Sequence, residues 1–311
     1  MRRYIAFTLL ILLVACAGGS AKPKGVVLDS PFAGGTAGLS LEFSELRKDV
    51  FDGAGDPFDI IVKLENKGET LVSKENVLVK LSGFNPTEFD KTEAQLSLNA
   101  PDDVIELRKD PQGNLLAPPS TFVEFTALNH KGLITGATAQ FTVRANACYL
   151  YRTKAVSKLC IREDLLTPEA GGICEINQDK QLHNSGAPVQ FATFKENTRA
   201  KDRVGFTVEV RNSGTGGVFE RNSKCNKDDR QKEGRVYVVV NTGLSGVQCT
   251  GLESTANGAE GFVTLRSGTN TLSCTQQVNT NTDFEQLVNL EAIYDYEQLI
   301  QSSFAVKSSG E

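Results

Sequence analysis

VRANACYLYRTKAVSKLCI, residues 143–161, lies without a gap over VNLEAIYDYEQLIQSSFAV, residues 288–306. The two stretches match at Val143 and Val288, Ala147 and Ala292, Tyr149 and Tyr294, Tyr151 and Tyr296, and Ser157 and Ser302. A second match lies upstream, where IIVKLENKG (60–68) aligns with FTVEVRNSG (206–214). The offsets are 145 residues (Val143 to Val288) and 146 residues (Ile60 to Phe206). A near-constant offset signals two copies of one folding unit in tandem.

Alternation identifies what the unit is made of. Phe58, Ile60, Val62 and Leu64 share one face, with Asp59, Lys63 and Glu65 on the other. In the second copy Val204, Phe206, Val208 and Val210 alternate with Thr207, Glu209 and Arg211. Period two over this length is a half-buried strand. Each strand ends in Asn-x-Gly, at Asn66 and Gly68 and at Asn212 and Gly214, a natural turn. A further strand follows through Val77, Val79 and Leu81, and through Val236, Val238 and Val240.

The remaining strands expected in the first copy are Leu39–Leu46, Ala94–Leu98, Val104–Arg108, Thr121–Leu128 and Ala139–Tyr151. Their counterparts are Val189–Lys195, Val247–Leu252, Phe262–Arg266, Thr271–Gln276 and Gln286–Tyr296. The apolar spacing of Thr121–Leu128 also fits a short helix. A last strand, near Val156–Arg162 and Leu299–Lys307, would fold back after each Tyr-x-Tyr as a hairpin. Short strands with turns every 8–12 residues describe an all-β chain of two tandem immunoglobulin-like antiparallel sandwiches. The expected boundaries are 37–162 and 187–308, joined by a linker over 163–186.

Tyr149 and Tyr151 share the inward parity of Val143, Ala145 and Ala147, and Tyr294 and Tyr296 share that of Val288, Leu290 and Ala292. Rings at these positions fill the end of a core, with each hydroxyl sent to a backbone partner at the rim. They read as core tyrosines rather than as a sugar-stacking platform.

The first residues read as a targeting segment. Arg2 and Arg3 precede an apolar run from Ile5 to Val14, too short for a stable transmembrane anchor. The run ends in Leu13-Val14-Ala15-Cys16, which resembles the processing site of prokaryotic lipoproteins. That resemblance implies a signal peptide over 1–15, lipidation of Cys16, a flexible tether over 16–36, and a membrane held through the N-terminal lipid. Net charge is −5 with no basic stripe, which argues against nucleic acid as a partner.

Apart from Cys16 there are six cysteines, an even number that suits disulfides outside the cytosol. Cys249 and Cys274 share inward parity within the second copy and are the first expected pair. Cys148 with Cys160, across the expected hairpin, and Cys174 with Cys225 complete one set; Cys160 with Cys174 and Cys148 with Cys225 form the rival set.

Signals for chemistry are sparse. The two histidines, His130 and His183, adjoin no nucleophile motif, and no zinc or phosphate-loop signature occurs. Asp49, Asp52, Asp56 and Asp59, and Asp228 with Asp229, read as solvated turn acids rather than a Ca²⁺ loop. No cofactor, metal or catalytic residue is expected.

The strand ending in Asn-x-Gly, the Val-rich strand after it and the closing Tyr-x-Tyr together resemble CARDB-type and related S-layer-associated immunoglobulin-like domains of archaeal and bacterial surface proteins. The resemblance covers residues 37–162 and 187–308. It implies a non-catalytic surface lipoprotein on the extracytoplasmic face of the membrane, archaeal in kind. The implied work is adhesion, envelope scaffolding or surface-complex assembly, with envelope or surface proteins as partners. The alternatives are a secretion- or pilus-type subunit and a glycan-binding module. One departure is an insertion in the second copy, where the offset grows to 159 (Val77 to Val236) around Cys225. That loop is the expected contact surface.

Overall fold

The computed structural model describes residues 30–166, 172–253 and 257–310. The signal segment 1–15, Cys16 and most of the tether 16–36 lie outside the described residues. The first half of the chain forms β1 (Leu39–Ser44), β2 (Asp49–Phe51), β3 (Phe58–Asn66), β4 (Val77–Ser82), β5 (Ser97–Asn99), β6 (Arg108–Lys109), β7 (Leu115–Leu116), β8 (Thr121–Leu128) and β9 (Thr138–Ile161). The second forms β10 (His183–Asn184), β11 (Val189–Ala200), β12 (Arg203–Asn212), β13 (Gly217–Phe219), β14 (Arg235–Asn241), β15 (Val247–Thr250), β16 (Glu260–Thr264), β17 (Thr269–Gln277) and β18 (Phe284–Lys307).

β9 and β18 are each 24 residues long and pair antiparallel over their whole length, from Thr138↔Lys307 to Ile161↔Phe284. At ~3.4 Å per residue the ladder is about 80 Å long. It is the centre of a nine-stranded sheet ordered β16-β14-β18-β9-β4-β5, with β2, β10 and β13 paired alongside. A three-stranded sheet, β1-β3-β8, covers one end, and a four-stranded sheet, β11-β12-β17-β15, covers the other. The two layers at each end enclose the apolar faces of their alternating strands, so the chain is an all-β sandwich of sheets that are antiparallel except where β2 runs parallel to the end of β18.

The long strands correct the expected hairpins. β4 pairs the first half of β9, Val77 opposite Tyr149, and β14 pairs the first half of β18, Asn241 opposite Asn289. Each long strand then continues past its Tyr-x-Tyr into the other half of the molecule. Val156–Arg162 and Leu299–Lys307 therefore do not fold back on their own copies. The physical reason is in the residues: Arg152–Ala155 and Glu297–Leu299 hold no Gly, Pro, Asn or Asp to make a turn. Alternation also runs on unbroken, with Tyr149, Tyr151, Thr153, Ala155, Ser157, Leu159 and Ile161 all buried on one face.

The exchange is a packing fact as well as a topological one. Phe304, near the end of β18, is buried in the first half between Phe58, Phe89 and Phe141, at ring distances of 5.4, 5.6 and 5.8 Å. Burying such a ring stabilises by roughly 2–3 kcal/mol. The end of the second half is thus part of the first core.

Between the long strands the copies diverge. Thr121–Leu128 is a strand, with Val123 opposite Val62 as Leu272 is opposite Val208. Of Ala94–Leu98 only the end is extended, in β5, which pairs β4. Its expected counterpart, Val247–Leu252, forms β15 in a different sheet beside β17. Val104–Arg108 is not a strand: Val104 makes a single bridge to Val72, and Arg108 opens the short β6–β7 hairpin.

Candidate functional site

The midpoint of the ladder falls at Tyr149↔Tyr296 and Leu150↔Asp295. There the four tyrosines of both repeats meet in one buried cluster, each 2% exposed or less. Ring centroids are 5.8 Å apart for Tyr149 and Tyr296, and 6.5 Å for Tyr151 and Tyr294. Parity alone places them on one face; the continuous strands bring the two pairs together.

Each hydroxyl has a partner in the layer above. Tyr149 accepts from the Leu39 amide at 3.0 Å, and its repeat mate Tyr294 accepts from the Val189 amide at 3.1 Å. Tyr294 also lies 3.1 Å from Thr153 Oγ1, which donates to the Val189 carbonyl. Tyr151 donates to Asn66 Oδ1 at 2.9 Å, and Tyr296 accepts from the Gly216 amide at 2.7 Å beside Asn212 Oδ1 at 3.5 Å. Burial pushes all four phenols up from their ordinary value, so they stay protonated.

The Asn-x-Gly turns therefore lie against the Tyr-x-Tyr motifs. Asn66 Oδ1 accepts from the Gly68 amide and its Nδ2 donates to the Thr70 carbonyl; Asn212 does the same with Gly214 and Gly216. A Cβ at Gly68 would overlap the Tyr151 hydroxyl and the Gly186 carbonyl, and one at Gly214 would overlap the Tyr296 hydroxyl. Ala33 and Gly34 reach this same waist. The amides of Ala33, Gly34 and Gly186 all donate to the Glu69 carboxylate, at 2.9, 2.9 and 2.6 Å.

Three disulfides are present: Cys148–Cys225, Cys160–Cys174 and Cys249–Cys274. The first expected pair, Cys249–Cys274, links paired positions of β15 and β17. Cys148–Cys160 and Cys174–Cys225 do not form, and the rival set does. The reason is the continuous strand: twelve residues of extended chain separate Cys148 from Cys160 by about 40 Å.

On the outer face of the ladder, opposite the tyrosines, the inserted loop is held down. Asp295 accepts from the amides of Asn222 and Lys224 at 3.0 and 2.7 Å, with Ser223 Oγ at 3.4 Å. Burial raises the Asp295 carboxyl, and these donors oppose the rise. Lys227 pairs with Glu297 at 2.7 Å, and Cys225 is tied to Cys148. A groove of about 140 Å³ lies beside this brace, lined by Glu75, Asn76, Asn99, Leu150, Lys224 and Asp295 among others. The insertion, expected as a contact surface, is also a clamp across the repeat boundary. Asp295 carries no sequence signal beyond being an acid between two inward tyrosines, where the first copy has Leu150.

The residues weighed for chemistry serve local contacts. His130 is buried edge-on against Phe89 and Phe141, and His183 lies in β10 opposite Val156. Asp49 pairs with Lys307, Asp56 with Arg47, Asp59 with the Ala127 amide, and Asp52 with the amides of Ile134 and Ser309. Those two amides are the main cause that holds the Asp52 carboxyl below the usual range, and His130 lies near enough to help lower it. Asp229 caps Gln231. Among the described residues no group of His, Cys, Asp or Glu is placed to hold a metal ion, and no helix is long and apolar enough to cross a membrane.

No protein-family model matches this chain, and no curated protein matches it in sequence.

Proposed function

We propose that this protein is a non-catalytic, lipid-anchored envelope scaffold built from two immunoglobulin-like units. The single observation that carries the reading is the shared ladder. Two sandwiches joined by a loose linker would pivot, whereas two strands of 24 residues paired throughout make one bar of fixed length. Cys148–Cys225 ties the inserted loop of the second copy to the strand of the first, and Asp295 seats it. Buried polar groups at the waist serve backbone amides and turns rather than an open cleft. A fixed spacer suits holding envelope components at a set separation. The anchor, and the kinship with CARDB-type domains, rest on the sequence motifs.

The test is fractionation of cells that express the full chain, wild type or Cys16→Ser, followed by proximity labelling. The expected result is wild type in the washed membrane fraction, release of the variant, and labelling of other envelope proteins. Equal release of both chains would sink the anchor, and labelling confined to soluble enzymes would sink the scaffold.

A further inference from the structure

The two copies provide an internal comparison of sheet edges. Ile60 faces Phe125 and Val62 faces Val123 in the first copy; Phe206 faces Cys274 and Val208 faces Leu272 in the second. β8 and β17 therefore occupy equivalent places beside β3 and β12. On its far side β17 is paired by β15, from Val247↔Gln276 to Thr250↔Ser273. On its far side β8 has no strand among the described residues, and the sheet stops at β1-β3-β8. The chain goes from β5 to β8 through the Val72–Val104 bridge and the β6–β7 hairpin, without supplying the fourth strand.

The missing strand leaves the core closed but the ladder open. Val123, Phe125 and Leu128 are buried at 2% exposure or less, and Phe125 fills the place that Cys274 and its disulfide take in the other copy. What remains is a row of backbone donors and acceptors along Thr121–Thr126. Natural edges are usually blunted by lysines, prolines or bulges. This one carries a single charge, Glu124, and no proline within the strand; its irregularity comes only at Ala127, whose φ is 54°. Phe122, 42% exposed, stands on the outward face.

We propose that the open edge of β8 receives an extended, antiparallel strand donated by a partner protein. β15 shows what such a strand must be. It has at least four residues, with small or apolar side chains two apart on the inner side, as Val247 and Cys249 are, and no proline. An apolar residue beside Phe122 and a Lys or Arg beside Glu124 complete the fit. Main-chain hydrogen bonds carry affinity in this mode of recognition, and alternate side chains carry choice. This gives the scaffolding reading a contact surface. Its test uses the purified chain free of membrane, so failure of the anchor and failure of this edge are separate results.

The probe is a displayed library of random ten-residue peptides, selected on the purified chain, with amide exchange read by NMR. In the free protein every second amide of Thr121–Thr126 should exchange rapidly, while both parities of Ser273–Gln276 are slow. Selected peptides should show the alternating apolar pattern and slow the fast set in β8 at least tenfold, leaving β17 unchanged. Peptides that bind without touching β8, or no selected peptide, would overturn the proposal. So would fast-set protection without peptide that grows with protein concentration alongside a dimer in light scattering, which would assign the edge to a second copy. A chain already slow at both parities of β8 when monomeric would show the edge to be closed.

Discussion

The Tyr151 hydroxyl donates to Asn66 Oδ1 at 2.9 Å across 85 positions of sequence, joining a long strand to the turn that ends β3. Tyr151→Phe removes that donor and leaves Asn66 Oδ1 with the Gly68 amide alone, a loss of about 1–2 kcal/mol. Gly68→Ala should cost more, because its Cβ meets both the Tyr151 hydroxyl and the Gly186 carbonyl. Urea unfolding of the two variants measures the order; a Gly68→Ala chain as stable as Tyr151→Phe would contradict the geometry.

The three disulfides close loops of 77, 14 and 25 residues, in chain order of their first cysteines. On chain entropy alone the losses on removal are roughly 4.5, 3 and 3.5 kcal/mol. Alanine pairs should therefore cost most at Cys148 and Cys225, less at Cys249 and Cys274, and least at Cys160 and Cys174. Denaturant midpoints decide it, and Cys148–Cys225 as the mildest loss would overturn the role given to the clamp.

Residues 30–166 should not fold as a monomer. That fragment lacks Phe304 and Val306, both 1% exposed or less in the intact chain, and leaves β9 unpaired along the side that β18 covers. Mixing it with residues 172–310 should restore a 1:1 complex by size-exclusion chromatography. A dispersed NMR spectrum from the monomeric fragment alone would refute this.

Glu196 is fully buried, and burial pushes its carboxyl up to about 7, against the pull of Lys180 at 2.8 Å and of the Cys160 amide. Between the ordinary glutamate value and about 7 the folded chain keeps a proton that the unfolded chain has lost. Stability from this group therefore falls as pH rises through that window, on the order of 1 kcal/mol per unit. Melting temperatures of wild type and Glu196→Gln between pH 5 and 8 should show wild type losing ground to the variant as pH rises. Parallel curves would remove Glu196 as the cause.

Much of this fold is legible because strand parity is local. The alternation of Phe58 to Leu64 and of Val204 to Val210 is enough to place β3 and β12, and the inward parity of the tyrosines needs no structure. Cys249 and Cys274 meet because they sit on neighbouring strands at the same parity. What was hidden is where a strand stops. Tyr-x-Tyr suggested an end by its place in the repeat, yet Arg152–Ala155 lacks any turn-forming residue, and that negative signal outweighs the repeat. Once β9 runs on, the Cys148–Cys160 bridge becomes impossible and the partners of β18 change. Asp295 was illegible for a different reason: its role depends on a loop 71–73 residues away in sequence.

The contact of Ala33 and Gly34 with Glu69, beside the midpoint of the ladder, is where the described chain begins to bear on the molecule, and a leash tied there would act at the middle. A tie at one tip would stand the bar upright, with one end near its support and the other far away. A tie at the middle instead gives two arms of equal reach, about 40 Å each. Both tips are then equally free to meet what lies to either side, and a pull on one is balanced about a fulcrum made of four phenol rings.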